Sequence, residues 1–281
     1  MAGAVSEHGS DRLADYVAAI DRVFGGERGR AGSVAGRWPG VFAPGGARLF
    51  GIDDGSRLLS GLVARPLSWV DGDDSHAGHA IGFVFTVPEA RGQGLSSAVL
   101  RHAAETVGGP LVLWTGIPDF YARLGWTCDD DGALFGMGRG RVGEGQVPVQ
   151  PVERVDPAVL DAVRALAQPR RCLRRPADWL VRPFGADHMK VAVAGDAYVV
   201  FGTRDDGDAI VYELVGDPAV FPALWVTVAA GRGKVMVNAA SGEPAHLWLE
   251  GQGVDFRPGP SACWLDWAPA RRWALPWLDR I

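Results

Sequence analysis

Arg91-Gly92-Gln93-Gly94-Leu95-Ser96-Ser97 is the segment of this chain whose residue types and spacing best suit chemistry. It follows the alternating apolar run Ile81 to Val87 and leads into Leu95 to Val107, whose apolar residues recur at helical spacing. The first turn of a helix leaves main-chain N–H groups without partners, and its aligned peptide dipoles put partial positive charge there. Glycines let the chain bend sharply and let an anion approach the backbone. The pattern therefore predicts a phosphate cradle. It is not a nucleotide P-loop, which needs G-x-x-x-x-G-K-[ST]; the chain's only lysines are Lys190 and Lys234. Nor is it a dinucleotide fingerprint, because Gly92-Gln93-Gly94 lacks the third glycine of G-x-G-x-x-G. His76-x-x-His79 offers half a metal site, but no cysteine or third histidine follows at ligand spacing, so no metal is expected. None of Cys128, Cys172 and Cys263 has a histidine nearby in a catalytic pattern. The Asp-rich stretches at 71–74 and 129–131 read as solvated loops.

Arg91 to Ser96 resembles the R/Q-x-x-G-x-G/A loop of the GNAT acetyltransferases, which binds the pyrophosphate of acetyl-coenzyme A. Pro88 and the Val87-x-x-x-Arg91 spacing resemble that family as well. Ser96 departs from the usual Gly or Ala, and the smallness of serine implies reduced clearance rather than a lost site. Further on come Leu111-Val112-Leu113-Trp114, a buried-strand pattern, and Phe120-Tyr121-Ala122-Arg123-Leu124-Gly125-Trp126. The latter resembles the family's F-Y-x-x-x-G-F signature, in the right order and at the right distance. The resemblance covers roughly residues 10 to 140. A second stretch, Tyr212-Glu213-Leu214 and then Ala223-Leu224-Trp225, resembles the second domain of the Eis-type members, whose third, sterol-carrier-like domain has no counterpart here.

The resemblance implies a role for each motif. The backbone of Phe85, Thr86 and Val87 would meet the pantetheine arm, and the N–H groups of Gly92, Gln93, Gly94, Leu95, Ser96 and Ser97, after Arg91, would hold the pyrophosphate. Tyr121 stands where the family has its general acid; a phenol with a reference pKa of ~10 can protonate a departing thiolate whose own value is ~8.5. For the base, His79 is the titratable side chain closest to the start of the central strand, and a neutral imidazole can accept the ammonium proton directly or through water. Glu89 and Asp119 flank the motifs, the Ile281 carboxylate is possible by analogy with Eis-type enzymes, and bulk water can also take the proton. Trp264, Trp267, Trp273 and Trp277 suit an acceptor pocket or, more simply, core packing.

These residues need elements to position them. Asp11 to Phe24 reads as an amphipathic helix capped by Ser10 or Asp11. Residues 47–52 and 57–70 read as a hairpin, 71–79 as a polar loop and 80–87 as the central strand. Residues 96–107, 111–115 and 118–124 follow as helix, strand and short helix, and 126–137 as a closing hairpin. After the glycine- and proline-interrupted stretch 138–151 come a helix at 156–167, a hairpin of 191–202 with 209–214, a helix at 218–229, and strands at 234–239 and 246–249. The second half repeats the order of the first, but Gly216-Asp217-Pro218 stands where the phosphate loop would be. The expectation is an α/β (α+β) chain of two tandem acetyltransferase-like domains, each a mixed sheet with helices on both faces. A catalytic domain at 1–140 would be joined by a linker at 141–152 to a degenerate one at 153–281.

Composition sets bounds. With 281 residues, 47% hydrophobic and 22% charged, two globular domains are expected and no membrane span. A net charge of −5 gives no support to nucleic-acid binding. Three widely spaced cysteines and an N-terminus without a signal peptide fit a reducing cytoplasm without disulfides. The resemblance thus implies an acetyl-CoA-dependent N-acetyltransferase acting on an amine held between the domains. The alternative is an acyl-CoA-binding regulatory protein without turnover. The acceptor and the oligomeric state stay open.

Overall fold

The computed structural model describes residues 3–26, 33–129, 133–140, 147–181, 188–204, 206–267 and 277–281. The first half runs β1 (Ser6–His8), α1 (Leu13–Ile20), α2 (Val34–Arg37), β2 (Arg48–Asp53), β3 (Leu58–Asp71), β4 (Asp74–Thr86), α3 (Leu95–Val107), β5 (Leu111–Thr115), α4 (Pro118–Ala122) and β6 (Thr127–Asp129). Next come β7 (Ala133–Arg139), β8 (Val149–Pro151), α5 (Pro157–Ala167), β9 (Arg170–Leu173), β10 (Met189–Ala194) and β11 (Ala197–Thr203). The chain continues through β12 (Ala209–Gly216), α6 (Phe221–Ala229), β13 (Lys234–Ala240), α7 (Pro244–Gly251), β14 (Asp255–Pro258) and β15 (Ser261–Leu265).

Two mixed sheets result. One has the order β1-β2-β3-β4-β5-β15-β6, with β9 pairing the far end of β3; the other has the order β8-β10-β11-β12-β13-β7-β14. Strand by strand the two orders match, and each sheet has one parallel junction, β4 with β5 and β12 with β13. The place next to the last strand is exchanged: β15 from the second half fills it in the first sheet, and β7 from the first half fills it in the second. A strand that supplies its hydrogen bonds to the other half ties the halves together as a sheet edge would tie two chains.

Apolar periodicity explains the layering. Helix α3 buries Val99, Leu100 and Ala103 against Phe50, Leu62 and Ile81 on one face of the first sheet. On the opposite face Tyr16 and Ile20 of α1 pack with Leu49, Val63 and Phe85. In the second half, α6 turns Phe221, Leu224, Trp225 and Val228 onto Val199, Val211 and Val237.

Several expectations are corrected. The first helix is only Leu13–Ile20, entered through a 3-10 turn at Ser10–Arg12 without a side-chain cap and left through a π turn at Asp21–Gly26. Residues 71–79 are no loop: β3 and β4 pair up to Asp71 opposite Asp74, because β9 lends Leu173 to Arg170 as partners for Ser68 to Asp71. A polar strand gains from a third strand what its sequence does not advertise. The stretch 126–137 is not a hairpin, since β6 and β7 lie in different sheets; residues 130–132 are outside the described ones. Residues 246–249 are helical within α7, which starts with Pro244 in its first turn. Finally, Cys128 and Cys263 form a disulfide, because β15 lies against β6 with these two residues directly opposed. Spacing along the chain cannot reveal such a partner 135 residues away. Cys172 is a buried free thiol. Among the described residues no helix is long and apolar enough to cross a membrane.

Candidate active site

The junction of β4 and β5 is short. Only His79 with Leu111 and Ala80 with Val112 are in register, supported by His79 N–H donating to the Pro110 carbonyl at 3.0 Å. Beyond Ala80 each strand keeps its outer partner, β3 for β4 and β15 for β5, while no pairing joins the inner edges among the described residues. The register of β3 on β4 slips between Gly61 and Val63, opposite the stretch from Gly82 to Phe85. Phe83 there adopts a φ of +50°, a strained value for an aromatic residue. A bulge of this kind bends a strand and re-aims its groups. The outcome is a splayed strand pair with a polar backbone edge along Gly82 to Thr86.

At the end of that edge lies the glycine loop. Gly92 and Gly94 take φ values of +77° and +74°, the left-handed conformation that a side chain disfavours. Among the described residues, none of the N–H groups from Gly92 to Ser97 donates to a main-chain oxygen; the first to do so is that of Ala98, to Gly94 at 3.1 Å. Six donors are thus left unspent at the positive end of α3. Ser96 does not fill the cradle: its hydroxyl is 2.9 Å from that of Thr86, which is 2.9 Å from that of Ser60, and Ser60 donates to the Phe85 carbonyl at 2.7 Å. This hydroxyl chain ties the loop to the strand. The exposed Arg91 Nε donates to the Thr86 carbonyl at 3.3 Å. Glu89 sits between Arg22 and Arg57 as a surface ion pair rather than in the gap.

Tyr121 on α4 is 7% exposed and packs edge-on against Phe120 and Trp126. Burial pushes its phenol up to about 12. Leu111 and Leu113 of β5 share its core. His79 alternates with Ile81, so it lies on the α3 face of β4. Burial, followed by the charge of Arg48, lowers its pKa, and its Nδ1 is buried without a hydrogen-bond partner.

On the opposite face is Ile281, which packs with the core beneath α1 and with the Trp69 cluster. It lies so near Gly82 that a Cβ built there would stand 2.6 Å from its main-chain carbon and oxygen. Buried groups hold this segment. Arg65 Nη2 donates to the Asp279 carbonyl at 2.9 Å and Nη1 to Asp178 at 3.0 Å. Arg174 binds both Asp279 oxygens, at 2.7 and 2.8 Å, and both Glu213 oxygens, at 2.7 and 2.9 Å. Burial alone would raise the Asp279 pKa, but Arg174 and then Arg164 outweigh it and hold the carboxyl below its ordinary value. Bidentate pairs of this type tolerate burial because each carboxylate oxygen is met by a charged donor.

The structure thus gathers the glycine loop, Phe85 to Val87 and Ile281 along one strand, while Tyr121 packs in the core beneath α3, the face to which His79 also turns. Sequence reading passed over Gly82, although a lone glycine inside an alternating strand is a signal for a bulge or a close approach. It also passed over Arg65, Arg174 and Asp279, whose pairing no periodicity announces. Trp264 is buried against Trp69 and Trp267, so these two C-terminal tryptophans pack in the core; Trp273 is outside the described residues. The described residues hold no cluster suited to a metal ion.

Residues 5–128 match the family model described as an acetyltransferase (GNAT) domain. No curated protein matches the sequence. Among solved structures, a GCN5-related N-acetyltransferase from Anabaena variabilis is similar over 92% of this chain and 72% of its own, at 16% identity and a TM-score of 0.68. Eis1 from Mycobacterium abscessus is similar over 92% and 73%, at 15% and 0.59. A tandem GNAT protein from the clavulanic acid biosynthesis pathway is similar over 96% and 100%, at 14% and 0.59. At these identities the likeness is one of fold.

Proposed function

We propose, from the match of residues 5–128 to the GNAT acetyltransferase family model, that the protein is an acetyl-CoA-dependent N-acetyltransferase acting on a primary amine by direct attack. The observation that carries this reading is the set of unbonded N–H groups from Gly92 to Ser97 beside a splayed strand pair. Bound there, acetyl-CoA would supply an activated acetyl group as its thioester. The loop would hold the diphosphate through main-chain donors, which explains why glycines matter there more than side chains. The open edge of β4 from Phe85 to Val87 would pair with the amide-bearing arm as a neighbouring strand does.

Tyr121 would donate its proton to the departing sulfur; its elevated pKa keeps the phenol protonated at any working pH. The amine would approach from the face of Ile281, whose main-chain oxygen would accept its hydrogen bond and orient it. His79, on the other face and held neutral by burial, would act only through water. The catalytic unit in this reading is the domain at 1–140 completed by β15, and the half at 153–281 contributes the segment ending in Ile281.

Titration with acetyl-CoA, followed by turnover on a panel of amines, tests the proposal. Binding with transfer to at least one amine is expected. Tight binding with no turnover on any amine would favour the regulatory alternative, and absence of binding would remove both. His79→Gln separates the proton acceptors: unchanged kcat with an unchanged acidic limb takes His79 out of the mechanism.

A further inference from the structure

Among the described residues no N–H from Gly92 to Ser97 donates to a main-chain oxygen, so side chains must set the height of the loop above β4. Leu95 contributes an apolar contact with Leu59, Val87 and Ala90, but hydrophobic contact has no direction. The directed links meet at Thr86. Its carbonyl accepts from Arg91 Nε at 3.3 Å, and its hydroxyl lies 2.9 Å from that of Ser96 and 2.9 Å from that of Ser60.

Counting hydrogens orders this chain. A hydroxyl has one hydrogen to donate and two lone pairs to accept with. Ser60 is fully buried, and its hydrogen is on the Phe85 carbonyl at 2.7 Å. Ser60 can therefore only accept from Thr86, and Thr86 in turn can only accept from Ser96. Every hydrogen of the chain runs from the loop into the strand, and none is left for an anion. Ser96 thus stands among the open N–H groups with its own hydrogen turned away from them.

The second sheet supplies the contrast. At the same end of β11 and β12, the pair equivalent to Ser60 and Thr86 is Ala197 with Gly216. Neither carries a hydroxyl. The turn beyond them closes on itself, with Asp217 N–H on the Asp196 carbonyl at 3.1 Å and Val220 N–H on the Asp217 carbonyl at 3.0 Å. Between the two sheets, the hydroxyl link occurs where the loop keeps its donors open and is absent where the loop closes.

We infer that Thr86 and Ser96 are positioning residues for acetyl-CoA, which fix the distance between the loop that takes its diphosphate and the strand edge that takes its arm. The inference deepens the activity proposed above and rests on it. Two elements bind one molecule together only when their separation matches its own span. The Ser96-Thr86-Ser60 chain sets that separation, and Ser96 is not itself a phosphate ligand.

The test is calorimetric titration of the whole chain with acetyl-CoA, with ADP (a diphosphate without the arm) and with acetyl-pantetheine (the arm without phosphate). Ser96→Ala and, separately, Thr86→Val should each weaken acetyl-CoA about three- to tenfold, while ADP and acetyl-pantetheine bind as they do to the wild-type chain. Thr86→Ser, which keeps the hydroxyl, should restore acetyl-CoA affinity. A loss of ADP affinity in parallel with that of acetyl-CoA in Ser96→Ala would make Ser96 a phosphate ligand and overturn the inference. So would wild-type acetyl-CoA affinity in both variants, or a Thr86→Ser chain as weak as Thr86→Val. If the wild-type chain does not bind acetyl-CoA, the proposed activity falls first and this inference with it; if it does and the variants match it, this inference falls alone.

Discussion

The two halves of the chain reach the same turn, the one after the fourth strand of the repeat, and spend its main-chain donors in opposite ways. From Gly92 to Ser97 no N–H meets a main-chain oxygen, whereas from Asp217 to Phe221 the donors close on the Asp196 carbonyl, the Asp217 side chain and the turn itself. Gly92 and Gly94 have open space around the Cβ they lack, while one at Gly216 would collide with Asp196 and Ala197. The glycines of the first loop therefore serve conformation and access, and that of the second, at a φ of +118°, serves conformation and close packing. One fold thus holds a loop built to receive an anion and a loop built to be filled.

That comparison can be broken or sharpened at several points. The largest effect is expected at the helix after the fifth strand, where Tyr121 stands three residues after Pro118 and the exposed Leu247 stands three after Pro244. Tyr121→Phe should lower kcat by about 10²–10⁴-fold with little change in KM for acetyl-CoA, and Leu247→Ala should do nothing. An equal loss in both, or none in either, would dissolve the distinction.

Next comes the exchanged strand. Only the first sheet staples it, through Cys128 and Cys263. Reduction, or Cys263→Ser, should cost about 2–5 kcal/mol of stability in denaturant unfolding; an unchanged midpoint would mean that pairing with β5 and β6 suffices.

The same glycine substitution should then read out differently in the two loops. Gly216→Ala should destabilise by about 1–3 kcal/mol and leave acetyl-CoA affinity alone. Gly94→Ala should weaken acetyl-CoA roughly tenfold, with a small shift in melting temperature. If both acted on stability only, the first loop would not be a ligand loop.

The smallest effect is a pH dependence. A general acid works while protonated, and Tyr121 sits at about 12, so kcat should show no fall up to roughly pH 10. Stability gives a further limb. His79 has a folded pKa below its unfolded value of ~6.5. Its contribution is therefore present above that value and lost as pH falls through the lower, folded one. His79→Phe should remove that limb from unfolding curves measured against pH.

Much of this was legible before any coordinates. The glycine loop, the Phe120-Tyr121 motif and the buried runs at 81–87 and 111–114 are local signals whose order reproduces the strand, loop, helix and strand observed. Illegible were the contacts made by the chain's ends. The partner of Cys128 is 135 residues away, the polar end of β3 is a strand only because β9 lies beside it, and the face of the sheet on which His79 lies is set by the packing of α3 over Ile81.

By itself the sequence determined the elements and the chemistry of the loop, because hydrogen bonding within a turn or helix and the conformational freedom of glycine depend on residues a few positions apart. Tertiary structure decided which sheet β7 and β15 join, which donors stay unspent, and that Ile281 comes to rest on Gly82. Those outcomes follow from burying apolar faces and meeting buried charges across the whole chain, and no window of sequence contains both partners.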